Sequence, residues 1–512
     1  MFIISNICGN NLVTRMLILQ VRFKTKIHWA KLRKKTGPKN KALNHFDEFY
    51  SSVFGKKWEP MREALLQRSK YIALVNNYGD AEETVDYLTN RGAHCLKQLI
   101  KIQQTFDKQY SPEKVPEKPV TVREEDNKIK EFMIQQHANE ISNIYPGSDN
   151  LPEKLDIGEE EEKRVIKNNE KLNHPNTTLD QSMAKAQIDI SRIIDPSLGI
   201  TNEALYQYIP ATKLKGMEDW VPESQHYSYY SKDQSFPLTI EQETELNYPE
   251  HLKVFTYEMD SEVKRFPEPK RTQTGVFNYY PMDCGSVLAV LALNLSGGDR
   301  VLDLCSAPGG KALVALQTLL PDVVVCNDIS ISRSNRTRRT FRDYLFDFDT
   351  SDRWQERVVF ERIDGRHFVD HQGFDKVLVD VPCTTDRHSI TEDENNIFRA
   401  DRIKERLKIP EMQSQLLVNA LKLVKVGGCV VYSTCSLSPI QNDGVVHMAL
   451  KHAFETHSIV AVIKDMTPAM SGLSTTLMLG TGNAAPQYGQ LVTPSVGANF
   501  GPSYISKLLR VR

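Results

Sequence analysis

The chain has 512 residues and a formal net charge of -1, with 40% hydrophobic and 25% charged residues. This length fits one large domain with extensions, and the composition excludes a fibrous or wholly disordered chain. No run of about 18 or more apolar residues occurs, so we predict no membrane span. The eight cysteines form no CxxC pair and no His/Cys cluster with zinc spacing, which predicts that no metal is bound and favours a reducing compartment.

The N-terminal segment contains basic residues but no acid, because the first acidic residue is Asp47. Such a composition is typical of a mitochondrial transit peptide followed by a basic arm, which we predict over residues 1–45. A transit peptide of this kind predicts that the protein is located in the mitochondrial matrix. A disordered basic tail, or an RNA-binding extension of a cytosolic or nuclear protein, has the same composition and remains an alternative.

The next two segments differ in polarity. Residues 46–104 carry apolar side chains at helical spacing, as at Met61, Leu65, Leu74 and Val75, which predicts a helical extension. Residues 105–200 are polar and charged, with an acidic run from Glu159 to Glu162, which predicts a largely disordered linker. Residues 201–275 are interpreted as the N-terminal part of a catalytic module, and residues 276–512 as its main domain.

After Phe277, short apolar runs alternate with helical segments, which predicts a doubly wound α/β sheet. The apolar runs are almost continuous, as expected for parallel strands covered by helices on both faces. We predict strands at 300–304, 323–326, 357–361, 376–381, 429–432, 458–462 and 503–508, and helices at 310–320, 331–345, 409–424 and 440–454. Ligands of such sheets bind at the carboxyl ends of the strands, so the turns there are candidate sites.

The turn after the first of these strands contains two glycines, which let the backbone approach a ligand closely before a helix begins. Its residues are Cys305, Ser306, Ala307, Pro308, Gly309, Gly310 and Lys311. A phosphate-binding P-loop would need Gly at position 305 and Ser or Thr at 312, and a dinucleotide GxGxxG is absent as well.

Acidic residues follow the next two strands. Asp328 is placed to accept hydrogen bonds from ribose hydroxyls, and Asp364 with Gly365 is placed to bracket an adenine. Strand-end acids also cap helices and turns, and this structural role is the alternative for each of them taken alone. Their succession after the Gly-Gly turn favours S-adenosylmethionine as the cofactor.

Two cysteines follow the fourth and fifth strands, Cys383 after Asp380 and Cys435 after Thr434. Either one alone is most often a buried structural side chain. Together they fit methylation of cytosine C5, in which a thiolate adds to C6 and a base later removes the C5 proton. Asp380 is suited to protonate or hydrogen-bond N3 of the ring. These patterns leave open which thiol is the nucleophile.

Four segments together resemble the signature motifs of the Sun (Fmu) family of RNA cytosine-5 methyltransferases: Tyr279 to Asp283, Cys305 to Lys311, Asp380 to Cys383 and Tyr432 to Ser436. The resemblance implies a Rossmann-like, S-adenosylmethionine-dependent methyltransferase sheet after an N-terminal helical extension. It also implies that Cys435 is the nucleophile and that Cys383 assists release. In DNA cytosine methyltransferases, the nucleophile is instead the cysteine of a Pro-Cys pair, which corresponds to Cys383 in this sequence.

Two further segments, Pro382 to Ser389 and Lys70 to Asn77, are similar to the mitochondrial branch of that family. This resemblance implies methylation of small-subunit ribosomal RNA, a role in mitochondrial ribosome assembly, and a protein partner of the mitochondrial transcription termination factor family. Thr384 and Thr385 stand where many members have Ser-Gly, and Gln441 to Asp443 replaces a more acidic run. Because of these departures, the resemblance does not assign the general contacts with the substrate.

Two basic stretches are candidate RNA contacts, Arg333 to Arg342 on a predicted helix and Arg399 to Lys408 beside the active-site loop. A solvated helix face is the ordinary alternative for each. A non-catalytic assembly factor that holds ribosomal RNA and a partner is a second functional hypothesis, which the intact cysteines and Asp380 disfavour. Methylation of a protein or a small molecule would not need two thiols.

Overall fold

The computed structural model describes residues 37–110, 236–259, 261, 265–480 and 485–512, and all of these belong to one compact unit. Nearly all of the predicted transit segment and linker lies outside the described residues. No helix among the described residues is long and apolar enough to cross a membrane.

The N-terminal extension mixes helices and strands. It contains helices α1 (Pro38–Phe54), α2 (Trp58–Leu66), α3 (Ala81–Thr89) and α4 (Leu96–Tyr110), with strands β1 (Ile72–Val75) and β2 (His94–Cys95) between them. Helix α1 begins inside the segment assigned to the basic arm, so the boundary at residue 45 is wrong. Pro38 suits the first turn of a helix, and Ala42, Phe46 and Tyr50 form one buried face.

The helical prediction is also wrong for Ile72–Val75, which forms β1 of a small antiparallel sheet in the order β2-β4-β1-β5. Its partners are β4 (Val254–Thr256) and β5 (Tyr279–Met282). All four side chains of β1 are buried, and a short, continuous apolar run has no period that distinguishes a strand from a helix. Pairing with distant residues therefore decides its conformation.

The larger sheet contains nine strands: β3 (Ile240–Gln242), β6 (Arg300–Asp303), β7 (Val323–Asn327), β8 (Val358–Glu361), β9 (Phe374–Asp380), β10 (Val424–Thr434), β11 (Ala461–Asp465), β12 (Gln490–Val492) and β13 (Ser503–Arg510). Their order is β3-β11-β13-β10-β9-β6-β7-β8, and β12 also pairs with β13.

The five strands from β10 to β8 run parallel, whereas β13 lies antiparallel between β10 and β11. The sheet is flanked by the helices α5 (Cys284–Ala292), α6 (Gly310–Gln317), α7 (Ile331–Tyr344), α8 (Asp352–Arg357), α9 (Asp386–Thr391), α10 (Ile403–Leu423) and α11 (Val445–His457). The predicted doubly wound α/β sheet is confirmed.

The core is divided into two layers by this sheet. Val377 and Val379 of β9 pack into one apolar cluster with α10 and α11, whereas Leu378 packs into the other with α5 and α6. This burial on both faces explains the almost continuous apolar strands. Strands β7 and β8 lie on one side of β6, whereas β9 and β10 lie on its other side. The order in which the chain adds strands to the sheet therefore reverses beside β6. A ligand crevice is expected at the carboxyl ends there.

Candidate active site

The site residues predicted from the sequence all lie at the carboxyl edge of the parallel strands. The Gly-Gly turn joins β6 to α6, Asp328 follows β7, and Asp364 and Gly365 follow β8. Asp380 ends β9, and Cys383 and Cys435 follow β9 and β10. Among the described residues, no group of three or more His, Cys, Asp or Glu side chains is arranged to hold a metal ion.

The Gly-Gly turn has a steric requirement for glycine. Gly309 has φ = 97°, and a Cβ added there would lie 2.7 Å from Cγ2 of Thr337. The turn is held against the next strand because the amide of Ser306 donates to the Asn327 carbonyl over 2.8 Å. Burial raises the pKa of the Cys305 thiol well above its usual range, so this cysteine stays protonated. The turn thus offers backbone amides rather than a reactive sulfur.

Asp303, the last residue of β6, is a site residue that the sequence prediction missed. It is only 2% exposed, and among the described residues neither carboxylate oxygen meets a hydrogen-bond partner of normal geometry. Burial, followed by the negative charge of Asp380, raises its pKa to about 8. A buried and unpaired carboxylate is costly unless a ligand supplies the missing donor. The side chain therefore fits an ammonium group.

Asp328 is buried at the end of β7, where its oxygens accept from the Ser330 amide and from Nε of Arg333, both over 3.0 Å. Each oxygen keeps a further lone pair for a ribose hydroxyl. The neighbouring Asn327 side chain donates to the carbonyls of Leu304 and Ile363 and accepts from the Ile363 amide. Asn327, also missed from the sequence, thereby ties together the turns after β6, β7 and β8.

Asp364 and Gly365 each have a structural reason to be present. Arg366 hydrogen-bonds Asp364 over 2.6 Å and lowers the pKa of that carboxyl. A Cβ on Gly365 would lie 2.7 Å from Cδ2 of Leu416 and 3.1 Å from Cγ of Leu304. Their position beside Asp328 is compatible with an adenine, but the contacts alone also fit turn capping and close packing.

Asp380 connects the cofactor turn with the thiols. Lys311 donates to one of its oxygens over 2.7 Å, and the Ser433 hydroxyl donates to the other over 2.8 Å. Burial lowers the pKa of Lys311, but the attraction of Asp380 outweighs it, and the net shift is upward. Lys311 therefore remains a cation and fixes the Asp380 carboxyl from the side of the Gly-Gly turn.

The two predicted thiols are in contact: the Sγ atoms of Cys383 and Cys435 lie 3.0 Å apart. The Cys435 amide also points to the Cys383 sulfur over 3.4 Å. Cys383 is buried, whereas Cys435 is the exposed one among the free cysteines of the described residues. The hydrogen bond with Cys383 is the largest cause that raises the pKa of Cys435 well above its usual range. Cys435 is thus a neutral thiol before a ligand arrives.

Asp386 is a buried carboxylate that the sequence prediction did not single out. Its oxygens accept from the hydroxyls of Thr384 over 2.6 Å and Ser436 over 3.0 Å, and from the Leu437 amide over 2.7 Å. A fourth donor is the hydroxyl of Tyr50 in α1, over 2.6 Å. One carboxylate therefore joins the segments that follow the two active-site cysteines.

The segment Gln441 to Asp443 lies within a short π-helical turn (Ile440–Gly444), and its side chains are buried. Gln441 accepts from the Thr384 amide over 3.1 Å, and Asn442 accepts from the Thr434 hydroxyl over 2.7 Å. Asp443 accepts from the hydroxyl of Tyr504 over 2.6 Å. All three side chains thus support the active-site strands from behind.

The two basic stretches are exposed in part, but several of their members contact neighbouring side chains. Arg333 pairs with Asp328, and Arg342 pairs with Asp349. In the second stretch, Arg399 pairs with Asp401, Arg402 pairs with Glu405, and the Arg406 guanidinium lies over the Phe398 ring. These contacts fit the alternative of a solvated helix face, and RNA binding by either stretch stays a prediction.

The sequence profile described as 16S rRNA methyltransferase RsmB/F matches residues 290–482. The chain is 33% identical over 497 residues to the 5-cytosine rRNA methyltransferase nsun-4 of Caenorhabditis elegans, an alignment that covers 96% of both chains. It is 44% identical over 265 residues to the 5-cytosine rRNA methyltransferase NSUN4 of Bos taurus, covering 51% of this chain and 67% of that one.

More distant similarities extend this comparison. A tRNA (cytosine(34)-C(5))-methyltransferase, mitochondrial, from Danio rerio is 35% identical over 254 residues, covering 48% of this chain and 66% of that one. A solved methyltransferase homolog protein from Pyrococcus horikoshii aligns with a TM-score of 0.43 and 15% identity, covering 92% of this chain and 98% of that one.

Proposed function

Since the chain belongs to the RsmB/F family of rRNA methyltransferases, we propose that it methylates C5 of a cytosine in the small-subunit ribosomal RNA of mitochondria. The enzyme is an S-adenosylmethionine-dependent RNA cytosine-5 methyltransferase. Relatives named 5-cytosine rRNA methyltransferase support an rRNA substrate, and relatives named mitochondrial support the organelle. The acid-free, basic N-terminal sequence supports a location in the matrix.

One observation carries the proposal: two thiols lie 3.0 Å apart at the ends of neighbouring strands, beside a carboxyl that is fixed from the cofactor side. Cytosine C5 is a weak nucleophile, and addition of a thiolate to C6 transfers electron density to C5. We assign this addition to Cys435, because it is the exposed thiol and the family resemblance gives it that role. In this step the Cys435 thiol gives up its proton to solvent, the S–C6 bond forms, and the C5–C6 π bond breaks as its electron pair moves to C5.

The later steps need a base and an orienting group. After C5 has gained its methyl group, the Cys383 thiolate accepts the C5 proton, the C5–C6 double bond forms again, and the S–C6 bond breaks to return the Cys435 thiolate. Asp380 accepts hydrogen bonds from Lys311 and Ser433 and is assigned to N3 and its neighbouring amino group. When the Asp380 carboxyl carries a proton, it donates a hydrogen bond to N3 and stabilises the negative charge that develops on the ring.

The residues at the ends of β6 to β8 fit S-adenosylmethionine group by group. The unpaired Asp303 carboxylate fits the ammonium, and the amides at the start of α6 fit the carboxylate. Asp328 is assigned to the ribose, and Asp364 with Gly365 to the adenine. When bound, the cofactor supplies an electrophilic methyl group. Cys305 to Lys311 and Asp380 complete the proposed binding residues.

We also propose that the protein acts in assembly of the mitochondrial small ribosomal subunit with a partner of the mitochondrial transcription termination factor family. The support is the similarity of Pro382 to Ser389 and Lys70 to Asn77 to the mitochondrial branch of the family. In the fold, Lys70 to Asn77 contains β1 of the N-terminal extension, and Arg387 of the other segment donates to the Ala64 carbonyl of that extension.

Bisulfite sequencing of mitochondrial RNA tests the substrate. Cells that lack the protein should lose one protected cytosine in the small-subunit rRNA, and re-expression of the wild-type chain should restore it. Re-expression of Cys435→Ala should not. A protected cytosine that is lost from mitochondrial tRNA while the rRNA is unchanged would replace the proposed substrate by the one named for the more distant relatives.

A further inference from the structure

The two active-site segments are connected through one buried carboxylate, Asp386, which is 0% exposed. One of its oxygens accepts from Thr384, the residue after Cys383, and from Ser436, the residue after Cys435. The other accepts from the Leu437 amide, and the amide of Asp386 itself donates to the Cys435 carbonyl over 3.3 Å. The chain at Cys435 and directly after it is therefore fixed by one residue, through its carboxylate and its backbone amide.

Asp386 makes no ion pair within the part of the chain that the structure describes, so hydrogen bonds alone stabilise its carboxylate. The donor from outside the active-site segments is the Tyr50 hydroxyl, 2.6 Å from the second oxygen. Burial and the charge of Asp386 raise the pKa of Tyr50 well above its usual range, so this hydroxyl stays protonated and donates. A charge-assisted bond of this length is a strong one.

Tyr50 has a fixed position because helix α1 packs it into an aromatic cluster. Its ring lies 5.0 Å from that of Phe46 and 5.1 Å from that of Trp58, and only 1% of the residue is exposed. Arg387 in α9 makes a second connection to the N-terminal helices. Its guanidinium donates to the carbonyls of Ala64 over 3.1 Å and Gln67 over 2.9 Å. The Tyr50 hydroxyl is thus presented to Asp386 from a rigid support.

We propose that Tyr50 is a positioning residue for cytosine methylation: its hydroxyl fixes Asp386, which in turn holds the segments of Cys383 and Cys435 in register. The role in turnover rests on the proposed function, whereas the register of the thiols does not. The N-terminal helical layer is then part of the catalytic apparatus rather than an appended domain. Tyr50 acts through Asp386, and its hydroxyl also interacts with the side chain of Ser436.

The test compares Tyr50→Phe with Tyr78→Phe in the full chain. The first variant removes only the hydroxyl that meets Asp386. The second also removes only a tyrosine hydroxyl, one that donates to the Leu316 carbonyl over 3.2 Å. Each should lower Tm by at most a few degrees. In Tyr50→Phe, kcat should fall about tenfold or more while KM for S-adenosylmethionine stays unchanged. Tyr78→Phe should keep the wild-type kcat.

A second measurement reports the thiol register without turnover. Phenylarsine oxide bonds to two sulfurs at once, and its dissociation constant should rise several-fold in Tyr50→Phe but not in Tyr78→Phe. Unchanged kcat and arsenical binding in Tyr50→Phe would overturn the inference, and so would equal losses in both variants. If the wild-type chain binds the arsenical but methylates no RNA, the proposed function fails, and the arsenical comparison alone decides whether Tyr50 holds the thiols.

Discussion

The cofactor side and the thiol side of the crevice are built in different ways. At the ends of β6, β7 and β8, Asn327 joins turns that are 23 and 36 residues away in the chain. At the ends of β9 and β10, Asp386 is completed by Tyr50, which is 336 residues away. The cofactor side is therefore a local product of the strand-turn-helix pattern, whereas the thiol side depends on the N-terminal helices.

The two sides also differ in the residue that occupies a backbone position with positive φ. The cofactor turn uses glycine at its left-handed position, Gly309 with φ = 97°. The thiol side has Thr385 with φ = 45°, a β-branched residue in a conformation that such residues rarely adopt. The surrounding hydrogen bonds of Thr384 and Asp386 hold it there. Local sequence rules describe the first side well, and tertiary contacts override them at the second.

The largest expected effect separates the two sides by function. Cys435→Ala should abolish methyl transfer because no thiolate remains to add to C6, while S-adenosylmethionine binding stays nearly intact because the proposed cofactor residues lie at other strand ends. Calorimetry gives the cofactor affinity, and transfer of labelled methyl to RNA gives the turnover. Methylation at a comparable rate by the variant would show that Cys435 is not the nucleophile.

A change at the proposed cofactor residues should instead weaken cofactor binding and leave the thiols unaffected. Asp328→Ala should weaken S-adenosylmethionine binding by about 1.5 to 3 kcal/mol, as expected for loss of a charged hydrogen bond to the ribose. The arsenical affinity of the thiols should stay at the wild-type value. Calorimetry measures the first effect, and an unchanged cofactor affinity would remove Asp328 from the binding site.

Cofactor binding should also depend on pH through Asp303. The carboxyl has a pKa of about 8 in the free protein, so it is protonated at neutral pH and must lose its proton to bind an ammonium. Affinity should therefore rise with pH, by at most about tenfold per unit, between about pH 6 and about pH 7.5, where an α-amino group is still protonated. Asp303→Asn should flatten this slope. A wild-type affinity that is independent of pH would contradict the assignment.

The smallest effect concerns Thr385. Thr385→Gly should raise the free energy of unfolding by up to about 1 kcal/mol, because relief of the left-handed strain exceeds the added entropy of the unfolded glycine. Thr391→Gly, at the end of the same short helix α9, should lower it by about 0.5 kcal/mol. Urea unfolding measures both, and destabilisation of equal size in the two variants would show that Thr385 is not strained.

Much of the catalytic sheet could be predicted from the sequence, because its buried strands read as short apolar runs between helical segments. The predicted strand at 376–381 corresponds to Phe374–Asp380, and the last one to Ser503–Arg510. The strand predicted at 458–462 is shifted to Ala461–Asp465, because α11 continues to His457 and Ser458 caps it in a left-handed conformation.

The parts that could not be predicted depend on long-range contacts. β1 is a strand because β4 and β5 flank it, and nothing in its four residues encodes those partners. Asp386 was read only as part of a family-like segment, since its role needs Tyr50 and Ser436 beside it. Asp303 had a visible signal in its position at the end of β6, but its lack of a partner is evident only in three dimensions.

The covalent adduct between enzyme and RNA tests the central claim most directly. Cys383→Ala, incubated with target RNA and S-adenosylmethionine, should accumulate a complex that survives denaturing electrophoresis, because loss of the assisting thiol slows breakage of the S–C6 bond and not its formation. Cys435→Ala and the double variant should give no such complex. A complex that forms without Cys435 but requires Cys383 would reverse the two roles and contradict this account.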